Sequence, residues 1–592
     1  MKKKSLYIIS IAVSMAFFTN CVYAIEDVDN NKYGSSAITN TINKNLISPN
    51  ESPGLMTDID KTKRYYESLE DAHRTEFNIF KPEDAVIQDD SIVLPARINT
   101  SAQAVKVKQV VFPKSEIFDE MEIAKFTSLI ENQDVTAEDL NNYIDIINKQ
   151  YLKKKVLTAR ASLESFEDGV LKIELMEAKI GKIYVEGNRF NRKWFLKKMI
   201  SSKPDQVLNI VTLEDDLKTF NKNARSIQLS AQLKPGEEYG TTDIVLKAKE
   251  QFPFHFSASW DSFGRESTGL LRGGLMTSAD SLFGFQDRLT FAINMAKAST
   301  NPFVDYSIPI NRRGTRAGLS YMHGKSKVIS GDYSAYDLYA TTHVFSGYIN
   351  HPLVDKERWN LSWNTSGNIK LSTADISGYT YSDYKDYNIA TGFSGRYNFN
   401  KSVLFGSLYS TNGIIRDEIR NESNFFTKLN ADGYYIHYLP KGIILTLKAG
   451  GQYSPHDIPF IEQYQIGGMS SVRGYTESLL LGANSYYASL EMLFPIPFLP
   501  EEIKIPFRKD GSTYRLRDSF KLASFYDTGA IFPNDNTTVT KANFLMSVGA
   551  GIRIAISKYL TARVYLGVPL MNQVFYDQAS CRLHFDIVAS PL

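Results

Sequence analysis

Two short runs in the last third of this 592-residue chain carry side chains able to form one strong contact. Ser471-Val472-Arg473-Gly474-Tyr475 sets a guanidinium beside a glycine, and Phe525-Tyr526-Asp527-Thr528-Gly529 sets a carboxylate between an aromatic residue and another glycine. The chemistry on offer is ion pairing, because a guanidinium's planar fork matches both oxygens of a carboxylate where the ammonium of lysine cannot. Its worth depends on burial. Removing one partner costs about 3–5 kcal/mol in a dry site, against about 0–1 kcal/mol where water reaches both groups. Taken singly, Arg473 reads as an exposed loop charge and Asp527 as a strand-end turn former. Catalysis finds no comparable set. The eight histidines show no HExxH or similar metal spacing, and no glycine-rich phosphate loop ends in Lys-Ser/Thr. Gly392-Phe393-Ser394-Gly395 sits in an alternating strand rather than a strand-turn-helix elbow. The sequence predicts no enzyme, no metal site and no cofactor.

The elements around these runs alternate. Leu560, Ala562, Val564 and Leu566 share one face of a strand, while Thr561, Arg563, Tyr565 and Gly567 share the other. Phe544, Met546, Val548, Ala550, Ile552 and Ile554 oppose Asn543, Ser547, Gly549, Gly551 and Arg553, with Leu545 the one exception. Leu289, Phe291, Ile293 and Met295 oppose Arg288, Thr290 and Asn294. One face suits lipid and the other water, a pattern that recurs from about Phe254 to Leu592 and predicts a transmembrane β-barrel. Strand starts near 253, 268, 287, 303, 316, 337, 358, 387, 402, 426, 443, 485, 520, 543, 560 and 582 make sixteen, an even number that closes with both ends on one side. Between the eleventh and twelfth lies a long connection, Pro455 to Asn484, which contains Gly467-Gly468 and the arginine run. Connections of that length are commonly functional. Period two places Phe525, Asp527 and Gly529 on one face and Leu522, Ser524 and Tyr526 on the other, so Asp527 faces the lumen if Leu522 faces lipid. Gly529 leaves room for close approach of another backbone.

The rest of the chain bounds the setting. Lys2, Lys3 and Lys4 precede an apolar run from Leu6 to Phe18 and then Val22-Tyr23-Ala24, a bacterial-type secretory signal over residues 1–24. Its removal leaves Cys581 as the one thiol, which excludes an internal disulfide and a cysteine metal cluster. A net charge of +2 without a basic stripe argues against nucleic acid. Residues 25–101 are rich in Asn, Ser, Asp and Lys and predict an arm without a core. Within it Tyr65, Tyr66, Leu69 and Phe77 fall at helical spacing between Asp58 and Phe77. From Val105 a strand (Val105 to Phe112), two helices (Glu120 to Asn132, Thr136 to Tyr151) and two strands (Arg160 to Phe166, Gly169 to Leu175) are expected. The order then repeats, from Lys182–Val185 through helices at Arg192–Ser201 and Thr212–Ala224 to strands at Ser226–Leu233 and Thr242–Lys249.

Ala231-Gln232-Leu233-Lys234-Pro235-Gly236 followed by Gly240-Thr241-Thr242-Asp243 resembles the end of the second POTRA (polypeptide-transport-associated) domain of the hemolysin-activator family, the outer-membrane transporters of two-partner secretion. Gln150-Tyr151, Asp168-Gly169-Val170-Leu171 and Gly187-Asn188 fit the same pattern. Val472, Arg473, Gly474 and Tyr475 resemble the family's VRGY motif at the tip of its sixth extracellular loop. Phe525, Asp527 and Gly529 resemble its Phe-x-Asp-x-Gly motif on an inner barrel strand. The resemblance covers about residue 102 to the C-terminus. It implies a mostly β protein in the bacterial outer membrane, with a sixteen-stranded antiparallel barrel (251–592), two periplasmic β-α-α-β-β POTRA domains (102–177 and 178–250) and an arm whose helix plugs the pore. The implied task is to bind an unfolded partner exoprotein of hemolysin, adhesin or contact-dependent toxin type and to export it. Outer-membrane lipid and the barrel-assembly machinery are the other implied partners. An outer-membrane assembly factor of the same superfamily is the alternative, and a passive porin would not need the periplasmic repeats.

Overall fold

Strands with one apolar and one polar face can sit in a bilayer only when every backbone group is paired, which requires the sheet to close on itself. The computed structural model describes residues 87–89 and 104–590, apart from 155, 157–158, 239, 332–333, 357, 500–502, 505–512, 515, 535–538, 557–559 and 572–578. The expected signal over 1–24 and helix over Asp58–Phe77 lie outside these residues.

Before the barrel come β1 (Ile87–Asp89), β2 (Val105–Lys106), β3 (Gln109–Val111), α1 (Glu120–Ile130), β4 (Asp134–Val135), α2 (Ala137–Lys153), β5 (Ala159–Glu167) and β6 (Val170–Glu177). Then follow β7 (Lys179–Glu186), α3 (Lys193–Lys198), α4 (Ile210–Asn223), β8 (Ile227–Pro235) and β9 (Thr241–Glu250). The first unit packs α1 and α2 on a β3-β6-β5 sheet around Phe118, Phe126, Ile147, Tyr151, Leu171 and Ile173. Both helices begin at capping boxes, Asp119 with Glu122 and Thr136 with Asp139, so their first N–H groups are satisfied locally. Asp168 and Gly169, both at positive φ, turn the β5–β6 hairpin as an Asp-Gly pair does. The second unit repeats the order over Leu196, Leu213, Leu217, Leu229 and Leu246, all fully buried.

Two expectations are corrected. The single strand over Val105–Phe112 is two: β2 pairs with β4 and β3 with β6, because Val107 N donates to Gln133 O and Lys108 N to Gly169 O, handing the chain from one partner to the other. The arm, expected to lack a core and to carry only the helix over Asp58–Phe77, also contributes a strand: β1 pairs in parallel with β8, Ile87 opposite Ala231 and Asp89 opposite Leu233. A sheet edge offers its ladder to any extended segment whatever its composition.

The barrel is closed in the order β10 (Phe254–Asp261), β11 (Arg272–Asp280), β12 (Arg288–Ala296), β13 (Ser299–Pro309), β14 (Arg316–Lys327), β15 (Leu338–Asp355), β16 (Trp359–Ile376), β17 (Tyr379–Asn398), β18 (Ser402–Asp417), β19 (Glu422–Tyr438), β20 (Ile444–Tyr453), then β23 (Asn484–Pro495), β26 (Phe520–Phe532), β27 (Phe544–Ile556), β28 (Leu560–Pro569) and β29 (Arg582–Ala589). These are the sixteen expected, all antiparallel. Those placed near 268, 303, 387 and 426 begin instead at 272, 299, 379 and 422. At β17 the polar run Tyr379-Thr380-Tyr381-Ser382-Asp383 continues the ladder without apolar alternation, so hydropathy alone starts the strand late. Leu275, Phe291, Leu319, Phe345, Ile389, Leu408 and Leu583 are exposed on the outer wall, as a lipid-facing band requires. β21 (Tyr464–Ile466) and β22 (Leu480–Gly482) form a hairpin inside the long loop, and β24 (Ile503–Lys504) pairs with β25 (Thr513–Tyr514) ahead of α5 (Leu516–Ser519).

The second unit is tied to the barrel rim through the β11–β12 turn. Arg192 N donates to Gly284 O (2.8 Å) and Gln286 Nε2 to Asn191 Oδ1 (2.9 Å), while Lys222 of α4 pairs with Asp355 at the end of β15. Ile147→Ala should cost the first unit about 2–5 kcal/mol through the cavity it leaves. Limited proteolysis of the full chain is then expected to cut within residues 105–177 well before the barrel.

Candidate functional site

The loop from Ser454 to Ala483 does not stand off the barrel mouth. Its hairpin turns inward, and the tip is built from backbone: Gly467 and Gly468 adopt φ +112° and +90°, Gly467 N donates to Ser471 Oγ (2.8 Å) and Gly468 N to Val472 O (3.0 Å). This tight turn presents Val472, Arg473 and Tyr475 to the wall, all of them buried.

Arg473 and Asp527 meet, as their chemistry allows. Arg473 Nε donates to Asp527 Oδ2 (2.8 Å) and Nη2 to Oδ1 (2.9 Å), and the Arg473 backbone N–H adds a third bond to Oδ2 (3.0 Å). Asp527 has 0% exposure and Arg473 4%, so the pair belongs to the dry limit. Four groups that the sequence reading did not assign complete the site. Arg473 Nη1 donates to Glu491 Oε2 (2.8 Å) and Nη2 to Ser489 Oγ (3.1 Å), whose own hydroxyl donates to Asp527 Oδ1 (2.6 Å). Arg553 grips the other side of Glu491 (Nε to Oε1, 2.8 Å; Nη2 to Oε2, 3.0 Å), and Tyr565 OH donates to Glu491 Oε1 (2.7 Å). The guanidinium of Arg473 also lies over the Phe525 ring at 3.7 Å and faces Tyr565 at 4.7 Å. Two arginines and two carboxylates thus sum to zero formal charge in a buried site, with Lys448 adding a further cation on the Glu491 side.

The strands explain this convergence. In the β23–β26 register Ser489 lies opposite Asp527 and Glu491 opposite Phe525, and β26 sets Phe525 opposite Gly549 of β27. A Cβ at Gly549 would lie 2.2 Å from Leu566 O and 2.3 Å from the Phe525 ring. The loop backbone comes closest not at Gly529 but at Gly567 of β28, where a Cβ would sit 2.5 Å from Gly474 N. Gly529 instead accommodates the Val472 side chain, 3.1 Å from the place of its missing Cβ. Gly474, at φ +92°, donates its N–H to His584 Nε2 (2.9 Å), and Tyr475 OH sits between the carbonyls of Met546 (2.8 Å) and Met571 (2.9 Å), with its one proton shared between the two acceptors. Leu545, the exception to alternation on β27, is fully buried against Ile466, Val472 and Tyr475 of the loop. A signal for the missing residues was present: Glu491 and Arg553 are lone charges within apolar runs on lumen-facing positions. Among the described residues no group of three or more His, Cys, Asp or Glu is placed to hold a metal ion.

Residues 240–554 match the family of haemolysin secretion/activation proteins ShlB/FhaC/HecB, and residues 105–178 match the ShlB-type POTRA domain. The heme/hemopexin transporter protein HuxB of Haemophilus influenzae (strain 86-028NP) is 23% identical over 481 residues, 76% of this chain and 81% of that protein. The outer membrane transporter CdiB of Dickeya dadantii (strain 3937) is 24% identical over 496 residues, 78% and 82% of the two chains. In fold, CdiB from Escherichia coli superposes with a TM-score of 0.58 at 17% identity, over 92% of this chain and 99% of that one. CdiB from Acinetobacter baumannii gives 0.56 at 18%, over 90% and 100%. With a sixteen-stranded barrel, a POTRA domain before it and a family match across more than half its length, this chain belongs to the ShlB/FhaC/HecB family of outer-membrane two-partner secretion transporters.

Proposed function

We propose that the chain captures one large, unfolded partner exoprotein in the periplasm with its two POTRA units and passes it through the barrel to the cell surface, the inward loop being the gate. The partner is of the hemolysin, adhesin or contact-dependent toxin type that the family resemblance implies. The division proposed is 102–177 and 178–250 for the POTRA units and 251–592 for the pore. One observation carries the reading: a loop held across the lumen by a buried, charge-balanced set of side chains blocks the route a polypeptide would take, so passage requires that set to open.

Capture by strand addition suits a client without defined sequence, since backbone hydrogen bonds supply the affinity. The parallel docking of β1 on β8 supports it, because this sheet edge accepts an extended segment. No nucleotide is required when the partner's folding outside prevents its return. The assembly-factor reading has no comparable support, since the solved BamA barrel shares only the fold at 15% identity.

Deleting residues 102–177 is expected to abolish secretion of the partner while the barrel still assembles. Undiminished export would refute the capture role. For the gate, Asp527→Asn leaves Arg473 and Arg553 to share Glu491, and the loop-docked state should lose about 3–5 kcal/mol. Arg473→Lys should cost nearly as much, because an ammonium cannot span Asp527, Glu491 and Ser489 together. Both variants are expected to expose the loop to added protease and to raise single-channel opening in planar bilayers. Wild-type behaviour of both would remove the pair from the mechanism. Exchanging Arg473→Asp with Asp527→Arg should restore little, because the new carboxylate would face Glu491.

A further inference from the structure

The same loop buries a second charge, of opposite sign, nearer its start. Glu462 has a fully enclosed side chain, and its backbone N–H closes a turn onto Pro459 O (2.9 Å). One carboxylate oxygen lies 2.6 Å from Lys428 Nζ on β19, and the other pairs with Lys370 Nζ on β16. Lys428 Nζ also donates to Glu462 O (3.0 Å), as does Gln452 Nε2 of β20 (3.1 Å). Asp386 of β17, opposite Lys370 in register, sits 4.0 Å from Lys370 Nζ and accepts from Asn388 Nδ2 (2.8 Å). A few residues before Glu462, Ile458 packs on Ile415 and Phe426 of the same stretch of wall.

The charges balance only with the loop in place. The formal charges of Lys370, Lys428, Asp386 and Glu462 sum to zero, and all four are buried. Withdrawing Glu462 would leave two ammonium groups against one carboxylate, a costly arrangement in a dry site. The wall at β23–β27 needs the loop's cation in the same way that the wall at β16–β19 needs its anion.

We propose that Glu462 is a second latch, and that the loop leaves the lumen only when the Glu462 and Arg473 anchors both release. This rests on the reading of the loop as a gate. Breaking the Arg473 anchor alone would free the tip while the limb from Ser454 to Gln463 stayed on β16–β19 and kept that part of the lumen filled. The opposite signs also bear on what a transiting chain must offer. Acidic side chains compete for Lys370 and Lys428, and basic ones for Asp527 and Glu491, so a client carrying both is suited to release the loop fully.

The test uses the purified full-length protein in planar bilayers, with heat-modifiable gel migration to verify barrel folding. Glu462→Gln with Lys428→Gln keeps the Lys370–Asp386 pair and the charge balance. It is expected to raise open probability by about tenfold or more, and combination with Asp527→Asn should multiply the two effects, as independent sites do. If Asp527→Asn opens the channel while the Glu462/Lys428 variant matches wild type, the second latch is wrong and the gate stands. If neither variant changes conductance, both fall. Should the Glu462/Lys428 variant fail to fold, Ile458→Cys with Phe426→Cys in a Cys581→Ser, Asp527→Asn background replaces it. Oxidation should then hold conductance below that of the reduced protein, and equal conductance would overturn the proposal.

Discussion

Arg473 is the residue around which the lumen is balanced. Remove it, and Asp527 loses the guanidinium that bridges it to Glu491, while Arg553 and Lys448 remain beside Glu491, so the buried Asp527 carboxylate is left without its cation. A buried ion pair gains little over apolar residues of equal volume, but leaving one partner behind is expensive. The pair is therefore weak evidence for overall stability and strong evidence for placement. The wall cannot be satisfied unless the loop is in, and the loop arginine has its full set of partners only at that depth.

Shape enforces the same position. Glycine occurs where backbone or ring must come close: at 567 for the loop backbone, at 549 for the Phe525 ring, and at 474 for a positive φ that aims its N–H at His584. Phe525 and Tyr565 cover the guanidinium, adding attraction by their π faces and excluding water from the salt bridges. Excluding water strengthens each charge contact, and satisfied charges in turn make the dry site tolerable. Tyr475 then fastens the tip to β27 and to the chain just past β28 by one hydroxyl placed between two carbonyls.

Much of this was legible in the sequence because a barrel wall obeys a period of two. Alternation gave the number of strands, the lumen side of Asp527 and the odd position of Leu545, whose reason became visible only with the loop packed against it. Strand ends were less legible where the ladder runs on through polar residues, as at Tyr379–Asp383, since pairing there does not depend on hydropathy. Glu491, Arg553 and Tyr565 were legible as inward-facing residues but not as partners of Arg473. Which inward residues share a level depends on strand stagger around the barrel, and a single sequence does not contain that stagger. The β1–β8 pairing was invisible for another reason: backbone hydrogen bonds carry it, and composition says little about them.

Energetics set what the partner must supply. Shifting a two-state element from about 1:99 to 99:1 takes about 5.5 kcal/mol of differential binding, a sum comparable with the cost of leaving one buried charge unpaired. Under the proposed mechanism, a client that only bound the periplasmic units would not open the pore, because binding that is equal in both states shifts nothing. It must interact more favourably with the open state, and an extended chain entering the lumen can do so by offering charges to the very groups that the loop vacates. Opening and entry are then one exchange of partners rather than two successive barriers. The second unit's contacts with the barrel rim at Asn191, Gly284 and Asp355 hold that unit beside the barrel, and under the proposed capture role a segment bound there would reach the lumen at high effective concentration.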